Sequence, residues 1–184
     1  MANITSKIEG IKSALRFSRD VKTDYERERR STLLAFHDSA IDLLYESLSA
    51  NFGDYPVDGG KSLFRYQKTF THTVSSILKT YQRLILYFPA ASALLKHANE
   101  IADAAIECRK VAKGRLGPAK DALRKEDLAH RSQNHQHYKD AVALSNTVNA
   151  AYWGEMRPFA DRLREAFRNY IANANVFLAH HDST

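Results

Sequence analysis

The chain has 184 residues, 44% hydrophobic and 26% charged, with seven Gly, four Pro and a single Cys. That balance excludes a disordered chain, allows one domain with a real core, rules out an intramolecular disulfide and, with so few turn formers, predicts few and long elements. A formal net charge of +6 points toward polyanionic partners: acidic lipid, nucleic acid or an acidic protein surface.

The first helical region is predicted over roughly 6–51. At its start Ile4, Ile8, Ile11 and Leu15 share one face while Lys7, Lys12 and Arg16 fall elsewhere, and Ser6 with Glu9 has capping-box spacing. Such a segment is a candidate amphipathic wedge for a lipid interface; an ordinary helix docked on the core is the alternative. Residues 16–30 carry charges of both signs around Phe17, Val21 and Tyr25, the pattern of a solvated, salt-bridged helix. Leu33, Phe36, Ala40, Leu44 and Leu48 then keep a helical rhythm.

Asn51 to Gly60, with Gly53, Pro56, Gly59 and Gly60, is predicted to be an ordered loop. A second helical region follows over roughly 61–113. Within it Phe70, Val74, Ile77, Tyr81, Leu84 and Phe88 alternate steps of four and three, the spacing of a helix–helix seam. Pro89 is expected to kink this helix, after which Ala91, Ala98, Ala102 and Ala105 would let a neighbour approach closely.

Lys113 to Pro118 is the second predicted interruption, with Pro118 as the first residue of a third helical region over roughly 118–181. The seam returns there as Phe159, Leu163, Phe167 and Tyr170, while Gly154 and Pro158 leave open whether this region is one helix or two. No stretch shows strand alternation. The expected fold is all-α, an elongated antiparallel bundle of three long helices forming a single domain over 1–184.

The densest one-sided charge lies between Arg109 and Arg131. With a turn at its centre, Lys113, Arg115, Lys120, Arg124 and Lys125 would surround an exposed Leu116 at a hairpin tip. Charge attraction and insertion would then both favour an anionic membrane.

Chemistry has little to stand on. There is no phosphate-binding Gly loop, no Gly-x-Ser-x-Gly elbow and no His-Glu-x-x-His. His135 and His137 are two apart and fall on different helix faces; Asp127 with His130 is the single carboxylate-x-x-His pair. The expectation is a protein that is not an enzyme, with no metal, no cofactor and no small-molecule substrate. Most aromatics fall on the seams rather than on a stacking platform, so nucleic acid is not the expected partner. No apolar run approaches a membrane span, and the first twenty residues are interrupted by charge, so the expected location is the cytoplasm, peripheral to a membrane.

Three long helical regions with Pro89 as a kink, a basic turn from Lys113 to Pro118, and the closing stretch Trp153 to Phe159 and Phe167 to Tyr170 are together similar to the BAR superfamily, most nearly the helical part of sorting nexins. The resemblance implies an antiparallel homodimer whose basic concave face docks on anionic, curved bilayers, with Ile4, Ile8, Ile11 and Leu15 as a wedge. The alternative function is a helical protein–protein interaction module, an adaptor, effector or assembly subunit, that uses its seams and has no membrane role.

Overall fold

The structure, a computed structural model, describes the backbone of residues 2–48, 61–132 and 134–181, and side chains within 22–45, 48, 61–132 and 134–179. Among the described residues there is no strand. The chain forms α1 (Ala2–Asp42), continued by a short π-helical turn (Leu43–Ser47), then α2 (Lys61–Tyr87), α3 (Ala93–Arg131) and α4 (His135–His181). The wider π turn sets Leu43 and Leu48 five residues apart with both side chains in the core, and the Leu48 N–H donates to the Leu43 carbonyl.

Each helix runs antiparallel to its neighbours. Tyr25 packs on Tyr87 and Ser39 hydrogen bonds Ser76, which sets α1 against α2. The Tyr81 hydroxyl donates to Asn99 across 2.7 Å, setting α2 against α3. Arg115 donates to both oxygens of Glu155 and His130 lies edge-on to Tyr138, setting α3 against α4. The ring closes where the Tyr170 hydroxyl reaches the Leu33 carbonyl and His37 packs on Phe167. This is an up-down-up-down four-helix arrangement.

Among the described residues four helices replace the three predicted, and each difference has a physical cause. At Pro89 the chain reverses instead of kinking. Phe88 N–H makes the last bond back to Leu84, Pro89 has no N–H to give, and the Ser92 N–H closes the turn on the Pro89 carbonyl at 2.9 Å. Ser92 then caps α3, its hydroxyl accepting from the Leu95 N–H at 3.2 Å.

At Lys113 to Pro118, where a turn was predicted, α3 runs straight through. The reversal comes later, between the end of α3 and the start of α4, where the Asn134 side chain accepts from the N–H groups of Gln136 and His137, each at 3.1 Å. Gly154 and Pro158 likewise sit inside a continuous α4. Burial decides both cases. Ala105, Cys108, Ala112, Leu116, Ala119 and Ala122 form one apolar line across the supposed break, and Tyr152, Met156, Ala160 and Leu163 form another across the second. A helix packed on both sides of a Gly-Pro site gains more from continuity than it loses at one missing hydrogen bond.

The two proline sites match. Pro118 and Pro158 each follow a glycine by four residues, Gly114 and Gly154, so each glycine carries the carbonyl that the proline cannot serve. The Arg115–Glu155 pair places both sites at the same level of the α3–α4 hairpin.

Candidate functional site

α2 contains Lys61, Arg65, Lys68, Lys79 and Arg83 and neither Asp nor Glu. Leu63, Tyr66, Phe70, Val74 and Ile77 hold its inner face in the core, which turns Lys61, Arg65 and Lys68 to solvent. Phe64 lies off that inner face and is 57% exposed. Across from it on α3, the Lys120 ammonium stands 5.6 Å from the centre of the Phe64 ring.

Lys120 belongs to a line of cations. Arg109, Lys113, Lys120 and Arg124 are separated by four, seven and four residues, so a continuous helix stacks them on one side, and all four are exposed. The line extends about 22 Å at 1.5 Å per residue. From Arg109 to Arg131 eight cations stand against three carboxylates, a surplus of five in a chain whose total is +6. The result is a basic face shared by α2 and α3, with one exposed aromatic ring set among its cations.

The chain matches no family model, no curated protein and no solved structure.

The residues predicted from sequence fall in different places. Lys113, Lys120 and Arg124 lie on the basic face. Arg115 is turned toward α4, where its hydrogen bonds to Glu155 raise its own pKa and hold the Glu155 carboxyl below the usual carboxylate range. Leu116 corrects the expectation of an exposed hairpin tip: it is 2% exposed and packs in the core, because the helix that carries it does not turn. The wedge residues Ile4, Ile8, Ile11 and Leu15 lie on the helical backbone of α1, but their side chains fall outside the described residues. Phe70, Val74, Ile77, Leu84, Phe88, Leu163, Phe167 and Tyr170 are buried and Tyr81 and Phe159 half-buried, all packed within the chain's own bundle.

Lys125 lines a separate feature near the hairpin turn. Lys125, Leu128 and Ala129 of α3, with Ser132 just past its end, face His137, Asp140, Ala141 and Leu144 of α4 across an open groove of about 470 Å³. Each wall contributes positions i, i+3, i+4 and i+7, the register of one continuous face.

Phe64, Lys61, Arg65 and Lys68 were not singled out by sequence reasoning. Two signals were available. α2 carries no acidic residue over its whole length, and Phe64 is out of step with Leu63, Tyr66 and Phe70. The alignment of Lys113 with Lys120 was hidden by the turn predicted between them.

Elsewhere the chemistry is quiet. Among the described residues no group of three or more His, Cys, Asp or Glu side chains could hold a metal ion, and no helix is long and apolar enough to cross a membrane. The Arg29 guanidinium sits between the rings of Phe88 at 4.6 Å and Phe177 at 4.1 Å, tying α1 to the far end of the bundle.

Proposed function

We propose that this protein docks peripherally on anionic lipid surfaces through the basic face of α2 and α3. The observation that carries the reading is Phe64, an exposed ring with Lys120 on one side and Lys61, Arg65 and Lys68 on its own helix. Cations near an anionic leaflet contribute about 1 kcal/mol each, and an aromatic ring at headgroup depth adds an apolar anchor. The resemblance to BAR proteins belongs to the same proposal. Two of its supports differ in the structure: Pro89 stands at a reversal between two helices instead of a kink, and the basic turn at Lys113 to Pro118 is helix; the basic helical face remains.

Co-sedimentation with vesicles of phosphatidylcholine alone, and with phosphatidylserine added, tests the reading. Binding is expected with the anionic vesicles only and falls between low and physiological salt. The double variant Lys113→Glu, Lys120→Glu loses at least about thirtyfold in partitioning, from about 1 kcal/mol at each site. Phe64→Ser weakens binding and makes what remains more salt-sensitive. A protein that stays in the supernatant with every lipid, or that binds neutral and anionic vesicles equally, overturns the proposal.

A second reading, a helical protein-interaction module, is favoured by the groove between Leu128 and Leu144, which lies outside the basic face.

A further inference from the structure

α2 begins at Lys61, and its first turns meet α3 at Lys120 and α4 at Tyr152. Beyond that level α3 continues to Arg131, and α4 starts back from His135 beside it. Their facing surfaces are closed by small residues, with Ala122 and Ala141 buried, but the groove alongside them is open. Leu128 is 59% exposed and Leu144 39% exposed, one on each arm, with Ala129 and Ala141 between them. Two leucines about one turn apart in level, one on each of two antiparallel helices, make the kind of cleft that receives another helix.

We infer that the occupant of this groove is a second copy of the chain, the two hairpin ends packing face to face as a four-helix contact. Charge chooses the occupant. Lys125 stands on the α3 wall and Asp140 on the α4 wall of the same groove. A two-fold axis through the contact brings Lys125 of each copy toward Asp140 of the other, so the surface is complementary to itself. From Arg124 to Leu144 there are four cations and three carboxylates, a near balance that contrasts with the basic face below it. A lipid surface or nucleic acid would meet Asp140 with repulsion; a second hairpin meets it with Lys125.

The size of the contact fixes its strength. The arms beyond Lys120 run about 18 Å, and two helices side by side are about 20 Å wide. Such a face covers roughly 350 Å² per copy, well under the roughly 800 Å² per partner of a stable complex. The dimer is weak and concentration-dependent.

Sedimentation velocity on the full chain at physiological salt, from low micromolar to several hundred micromolar, tests this. The expected result is a monomer–dimer equilibrium that Leu128→Asp shifts at least tenfold toward monomer. Lys125→Asp and Asp140→Lys each weaken it, and combining the two restores it, since the swapped charges pair again across the axis. All three positions are exposed, and unchanged far-ultraviolet circular dichroism verifies that the variants fold. A monomer at every concentration, a dimer indifferent to Leu128→Asp, or a double swap no better than its single variants each overturns the inference. Vesicle binding by Leu128→Asp is expected to survive at low protein concentration, so failure here and failure of the lipid proposal are distinguishable.

Discussion

The Tyr170 hydroxyl donates to the main-chain oxygen of Leu33 across 3.0 Å, in a core where the tyrosine is fully buried. This one bond joins the last helix to the first, 137 residues apart in sequence. It sits beside the edge-on contact of Tyr170 with Phe36 at 5.1 Å and the stacked ring of Phe167.

Tyr170→Phe keeps those ring contacts and removes only the hydrogen bond. The expected loss is about 1 kcal/mol, or a fall of about 2–4 °C in Tm on thermal unfolding. Burial also raises the phenol's pKa above its ordinary 10.0. The stability it contributes is whole below about pH 10 and is lost as pH rises toward the raised value, because the unfolded chain ionises first. Wild type is therefore expected to lose stability above pH 10 more steeply than Tyr170→Phe, read by denaturant midpoints across that range.

Gly114, Gly117 and Gly154 lie in helix interiors, and a Cβ at any of them would meet nothing within 4 Å. Alanine at each is expected to stabilise by about 0.5–1 kcal/mol through helix propensity alone. Pro118→Ala and Pro158→Ala restore the N–H that Gly114 and Gly154 lack as a partner, and each is expected to stabilise by up to about 3 kcal/mol. Equilibrium unfolding in urea measures both sets; a destabilised Pro→Ala variant would contradict the continuous helices.

Leu116, expected at an exposed tip, is buried, whereas Leu128, one helical stretch further on, is 59% exposed. Leu116→Ala is expected to cost about 2–5 kcal/mol and to leave the vesicle affinity of the folded protein unchanged. Leu128→Ala is expected to stay within about 0.5 kcal/mol of wild type in dilute solution. Urea midpoints separate the two directly.

Cys108 is fully buried, and its thiol is pushed up to about 12 by burial, with Glu107 adding to the shift. At pH 8 the native protein holds no useful fraction of thiolate, so a disulfide reagent is expected to react only as the chain opens. The rate is expected to rise in Leu116→Ala by about tenfold for each 1.4 kcal/mol of lost stability, and to become immediate in denaturant.

Much of the fold was legible in the residues. Phe70, Val74, Ile77 and Leu84 announce a buried helical face by spacing alone, because a side chain every three or four positions returns to the same side of the helix. Leu163, Phe167 and Tyr170 do the same in α4. The turn positions were misread for a reason just as local. Gly114, Gly117 and Pro118 are stronger punctuation than Ser132 and Asn134 when each is weighed by its own propensity, yet the weaker signals carry the caps and the stronger ones lie in mid-helix.

The candidate site divides along the same line. Its charge was in the sequence: an α2 without a carboxylate and a surplus of cations from Arg109 onward depend on composition, not on contacts. Its geometry was not. Lys113 and Lys120 fall into line only because the helix between them is continuous, and Phe64 and Lys120 meet only because α2 and α3 are antiparallel and in register. Helix type and the sign of the surface are sums over neighbouring residues, which a sequence contains. Where a helix ends, and which side of it faces water, depends on burial shared between segments far apart in the chain, and only the packed structure decides that.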